Sequence, residues 1–199
     1  SADSVFSNTV SIGTAAAVPD APTLLGAILQ SGPRVSLTWT DNATNETGFV
    51  VERCTGAGCT NFAQIAVPGP RNNTGSVTYL DTTVTAGNSY SYQVKAVNAA
   101  GPSLSYTNIA TVSVPAIPAA PTNFTVAAVK ANGNNYTATL TWAAATNPTN
   151  FTIQRATNAT FTTNLTSFTP AGNLRTLTQT VTRNTTYYYR IRANNLGGS

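Results

Sequence analysis

The chain has 199 residues, 41% apolar, with 8% charged residues and a formal charge of +4. That length suits one large core or two small domains, and short apolar runs divided by Gly, Pro, Asn and Thr favour β structure over helices. No run approaches the ~18 apolar residues of a membrane span, and the scattered basic residues lack the clustering that nucleic-acid binding needs. With no histidine in the chain, no Ser or Cys nucleophile has its usual base, and the six acids form no recognisable catalytic pair, so no enzyme and no cofactor is expected. The chain shows no initiating Met and no apolar signal region, as expected of a mature, processed product or a trimmed chain.

In chain order, Phe6-Ser7-Asn8-Thr9-Val10-Ser11-Ile12 reads as the closing strand of a sandwich, with Phe6, Asn8, Val10 and Ile12 on one face. Val35-Ser36-Leu37-Thr38-Trp39 and Gly48-Phe49-Val50-Val51-Glu52-Arg53 follow as strands. Cys54 and Cys59 then bracket a four-residue loop before Phe62-Ala63-Gln64-Ile65-Ala66. A disulfide across that loop is the expectation, which places the chain in an oxidising compartment; free buried thiols are the alternative. Two cysteines without histidine make a poor zinc site. Tyr90-Ser91-Tyr92-Gln93-Val94-Lys95-Ala96 and Tyr106 to Val114 are the next strands, and Val114 to Pro121 is a proline-rich linker, stiff and unable to pair inside a sheet.

Beyond the linker the pattern starts again. Ala21-Pro22-Thr23 recurs as Ala120-Pro121-Thr122, and Leu37-Thr38-Trp39 as Leu140-Thr141-Trp142. Phe49 to Arg53 recurs as Phe151 to Arg155, and Tyr90 to Ala96 as Tyr187 to Ala193. Alternation places Tyr187, Tyr189, Ile191 and Ala193 on one face, with Tyr188, Arg190 and Arg192 on the other. All six acids lie in the first 81 residues, and the later part is basic, a polarity suited to head-to-tail self-attraction.

The Pro-x-x-Leu opening, the run Leu37-Thr38-Trp39-Thr40-Asp41-Asn42 with Asn45-Glu46-Thr47-Gly48-Phe49, and the tyrosine strand together resemble fibronectin type III modules, in the form found as tandem arrays in secreted bacterial proteins. The resemblance implies an all-β fold of two immunoglobulin-like sandwiches with sheets ABE and C′CFG. It also implies burial of Trp39 and Trp142 on strand B and tyrosine corners at Tyr90 and Tyr187. The expected divisions are 1–18 as donor strand and linker, 19–115 as the first domain, and 116–199 as a second domain lacking its own strand G.

Phe6-Ser7-Asn8-Thr9-Val10-Ser11-Ile12 matches the first copy's strand G, Tyr106 to Val114, two residues shorter and so with parity preserved, while no such strand follows Ala193. The expected function is therefore a structural subunit of an extracellular filament or pilus-like fibre. Donor residues Phe6, Asn8, Val10 and Ile12 of one chain would pair with acceptor residues Tyr187, Tyr189, Arg190, Ile191, Arg192 and Ala193 of the next, with Asp3 beside Arg190 or Arg192. The alternative is a segment of a longer tandem array acting as a spacer or as an adhesive, carbohydrate-associated module, with exposed Tyr106 and Tyr188 as its contacts. The expected partner is the chain itself, with a host surface or glycan as a further partner. Asp41, Asn42 and Asn45 suit either turn formation or calcium, and turn formation is the simpler reading. Nine Asn-x-Ser/Thr triplets, at Asn42, Asn45, Asn72, Asn123, Asn135, Asn150, Asn158, Asn164 and Asn184, are candidate glycosylation sites.

Overall fold

A computed structural model of the chain describes residue 8, residues 11–13 and residues 16–199. Its elements are all strands, and no helix is long and apolar enough to cross a membrane. In the first copy β1 (Thr23–Gln30), β2 (Arg34–Asp41) and β5 (Gly75–Asp81) form one antiparallel sheet in the order β1-β2-β5. The facing sheet runs β4 (Ala63–Ala66), β3 (Gly48–Thr55), β6 (Ser89–Asn98) and β7 (Gly101–Pro102), with β8 (Ala110–Ser113) also pairing with β6. These are the two sheets implied by the resemblance.

Period-two burial explains the core. Val35, Leu37 and Trp39 point inward from β2, and Tyr90, Tyr92, Val94 and Ala96 from β6, because alternate side chains of a strand share a face. Trp39 meets Phe49 edge to face at 5.4 Å, and Trp142 meets Phe151 at the same distance. The disulfide joins Cys54, near the end of β3, to Cys59. The Tyr90 hydroxyl accepts a hydrogen bond from the Thr85 N–H at 2.9 Å, the tyrosine corner, whereas the Tyr187 hydroxyl bonds the Thr182 side chain instead.

The second copy repeats the plan. β9 (Thr125–Lys130), β10 (Asn135–Thr141) and β13 (Thr176–Thr182) form one sheet, with β10 in the middle. β12 (Thr166–Phe168), β11 (Asn150–Ala156) and β14 (Tyr188–Asn194) form the other, with β11 in the middle. A separate core gathers around Leu140, Trp142, Phe151 and Ile153.

Two strand expectations need correction. Strand G of the first copy is only β8, not the whole stretch from Tyr106. Before it, Thr107 and Ser103 meet β6 through their hydroxyls as well as their N–H groups, so a side-chain edge replaces the ladder there. Tyr187 lies one residue ahead of β14, where the chain is still leaving the turn that follows β13. The acidic half is also less exposed than its composition suggests: Asp41 and Asp81 are fully buried, Glu46 is nearly so, and Glu52 is bonded to Gln93 and Tyr106.

Candidate strand-accepting groove

The two copies differ at one edge. In the first, β8 lies beside β6, with Ala110 opposite Tyr92 and Val112 opposite Tyr90, and it also packs against β1. Further along, Val94 and Ala96 exchange hydrogen bonds with Thr107 and Ser103, so the edge of β6 is closed. The side chain of Asn108 seals the neighbouring strand by bonding both the N–H and the C=O of Leu25. A bulge between Thr23 and Gly26, with Leu24 at φ +57°, turns Leu25 into the core.

In the second copy, β14 pairs with β11 on one side, and β9 pairs with β10 on one side. By the repeat, the main-chain groups of Tyr189, Ile191 and Ala193 occupy the positions of Tyr92, Val94 and Ala96 and point to the free edge. Among the described residues they meet no partner. The side chains register the same difference. Tyr92 and Val94 are fully buried, while Tyr189 and Ile191 are only half-buried. Val126 and Ala128 on β9 are exposed, whereas Ala27 and Leu29, their counterparts by register on β1, are half-buried.

Between these free edges runs a groove of about 280 Å³, lined on its apolar floor by Val126, Ala128, Tyr136, Val181, Tyr187 and Tyr189. An unpaired strand edge beside an opened core invites an added strand: main-chain hydrogen bonds supply affinity, and pockets for alternate side chains supply specificity. Of the acceptor residues, Tyr187 and Tyr189 line the groove, and Ile191 and Ala193 continue their face. Arg190 and Arg192 point to the other face, where the Arg190 guanidinium donates to Gln154 at 2.7 Å and lies 4.3 Å from the Phe161 ring. Of the donor residues, Phe6 and Val10, like Asp3, lie outside the described residues; Asn8 and Ile12 are exposed and belong to no strand.

The polar cluster between the two sheets also differs between the copies. In the first domain the buried Asp81 carboxylate accepts from Arg53 at 2.7 Å, from the Tyr92 hydroxyl at 2.9 Å, and from the Thr83 N–H and hydroxyl. Burial alone would raise the Asp81 pKa, but these donors hold it below the ordinary carboxylate value. Burial, with the Asp81 charge beside it, pushes the Tyr92 hydroxyl strongly upward. In the second domain Gln179 takes the place of Asp81. Arg155 reaches it at 3.4 Å, and the buried Tyr189 hydroxyl has no partner. Burial raises the Tyr189 pKa, and a hydrogen bond with Thr182 lowers that of Tyr187.

The remaining candidate residues sort by geometry. Asp41 accepts from the Ala43 N–H at 3.0 Å, which is turn formation, and the described residues contain no group of three metal-ligating side chains. Tyr106 and Tyr188 are partly exposed, Tyr106 bonded to Lys95 and Glu52. Among the Asn-x-Ser/Thr positions, the amide nitrogens of Asn42, Asn45, Asn158 and Asn164 are already hydrogen-bond donors, and Asn150 is half-buried at the start of β11. Asn72, Asn123, Asn135 and Asn184 are exposed, and their side chains have no hydrogen-bond partner among the described residues. Sequence reasoning missed β9 as the second lip of the groove, because Val126 and Ala128 read as ordinary strand residues until their exposure is seen.

No model of a known protein family matches the chain, and no curated protein matches it. Solved structures do. The chicken CNTN1 FN1-FN3 domains superpose over 94% of the chain with a TM-score of 0.62 at 19% identity. The chain spans 64% of the length of that structure. An Fn3-like protein from Clostridium thermocellum is 32% identical over 50% of the chain and 96% of its own length, with a TM-score of 0.40. With the sheet orders above, the chain has the all-β fold of tandem fibronectin type III domains.

Proposed function

We propose that the chain is a structural subunit of an extracellular filament, polymerising head to tail when residues 6–12 of one chain enter the groove between β14 and β9 of the next. The observation that carries this reading is the contrast between two copies of one domain, with β6 closed by β8 and β14 open. The occupant follows from sequence. Thr9, Val10 and Ser11 repeat Thr111, Val112 and Ser113, and Ile12 stands for Val114. In that register Val10 faces Tyr187 and Asn8 faces Tyr189, as Val112 faces Tyr90 and Ala110 faces Tyr92. Asp3 then falls on the outer side near Arg192, in a domain without acids of its own. The divisions at 18 and 115 belong to this reading, and the disulfide supports an oxidising, extracellular location.

Polymerisation is tested by electron microscopy of the purified chain beside a variant lacking residues 1–12. Filaments from the full chain only are expected; filaments from the shortened chain, or none from either, would overturn the reading. Intact mass of the native material separates a subunit from a tandem-array segment, since a native chain far heavier than 20.6 kDa favours the array.

A further inference from the structure

We infer that the turn closing each domain binds the linker that leads into that same domain, which makes the two-domain chain one stiff unit. The same site occurs twice. After β6 the turn Asn98 to Gly101 is held by the Asn98 Oδ1, which accepts from the Ala100 N–H at 2.8 Å. After β14 the Asn195 Oδ1 accepts from the Gly197 N–H at 2.8 Å. Each turn ends on a glycine with φ near +130°, Gly101 at +135° and Gly198 at +132°, a conformation that side chains disfavour.

The opposite end of each asparagine amide points at the incoming linker. Asn98 Nδ2 donates to the Ala17 carbonyl at 2.9 Å, and Asn45 donates to the same oxygen at 3.0 Å. Asn195 Nδ2 donates to the Ala116 carbonyl at 2.8 Å. The following apolar residue packs on the turn glycine in both copies, Val18 on Gly101 and Ile117 on Gly198. A Cβ on Gly197 would lie 2.0 Å from the Pro115 carbonyl oxygen, so the turn accepts the linker only with glycine there.

The linker is also tied to the domain it leaves. Val114 is buried, its N–H bonds the Asn88 carbonyl, and its carbonyl accepts from the Gly87 N–H. Val114 therefore belongs to the first domain and Ala116 to the second, with Pro115 alone between them. Its ring fixes φ, so between the two anchored carbonyls only the Pro115 ψ and the Ala116 φ and ψ can turn.

Residual dipolar couplings of the isotope-labelled full chain test this inference without any polymer. One alignment tensor is expected to fit both domains. Asn195→Asp keeps the Oδ1 acceptor and removes the donor to Ala116, and it is expected to raise the unclamped population about 2- to 10-fold, the worth of one hydrogen bond, splitting the tensor. Separate tensors in the parent chain, or one tensor retained by the variant, would overturn the inference. Should the variant unfold the second domain, two glycines inserted after Pro115 serve instead and are expected to split the tensor. Absence of filaments counts against the proposed function alone and leaves the tensor result standing.

Discussion

Removing the Asp81 carboxylate is expected to destabilise the first domain by about 3–4 kcal/mol, because it orphans one buried and one partly buried partner at once. Asp81 is fully buried, and the Arg53 side chain is 18% exposed. Asp81→Ala leaves the buried Tyr92 hydroxyl without an acceptor, at ~1–3 kcal/mol, and leaves Arg53 without its counter-charge. Breaking a buried pair from one side costs ~3–5 kcal/mol; the lower part of that range applies, since Arg53 keeps the Thr83 hydroxyl and some water. Urea unfolding at neutral pH, in a Trp142→Phe background so that Trp39 reports on the first domain alone, measures the effect. With a slope of ~1 kcal/mol per molar urea for a domain of this size, the midpoint should fall by roughly 3 M. The sign with pH follows from the lowered pKa. Deprotonated Asp81 stabilises the fold fully above the ordinary carboxylate value of 3.8, and that stability is lost as pH falls through the lower folded value. A cost below about 1 kcal/mol, or a parent domain whose stability does not fall in acid relative to Asp81→Ala, would refute the reasoning.

The second domain gives the converse test. Gln179→Asp places a carboxylate between Arg155 and the unpartnered Tyr189 hydroxyl, and is expected to stabilise that domain by ~1–2 kcal/mol, read from Trp142 fluorescence in a Trp39→Phe background. In a host that attaches N-linked glycans, peptide mass spectrometry is expected to find occupancy at Asn72, Asn123, Asn135 and Asn184 rather than at Asn42 or Asn158, whose amide nitrogens each make two hydrogen bonds. Occupancy dominated by Asn42 and Asn158 would show that these local bonds do not restrain the side chains.

Much of the fold was legible along the chain because its signals are local and repeated. Trp39 and Trp142, the tyrosine strands and the Cys54–Cys59 spacing each specify a strand face or a turn from a few neighbouring residues, and the duplication doubled every signal. Strand extent was less legible. Tyr106 to Val114 has strand composition, yet Ser103 and Thr107 use their hydroxyls to meet β6, an edge that no alternation pattern encodes. Asn98 and Asn195 read as ordinary turn residues, since their linker contacts join positions about eighty residues apart.

By itself, the sequence determined the two-copy organisation, the inward faces of the strands and the likeness of residues 6–12 to strand G. These follow from periodicity and repetition, which depend on neighbours along the chain. Only the tertiary structure decided that β9 is the second lip of the groove, that Asp41, Glu46 and Asp81 are buried, and that Pro115 alone separates two clamped residues. Burial and long-range hydrogen bonding depend on which elements meet in space. Two strands with equivalent sequences, β6 and β14, therefore end with different edges according to what lies beside them.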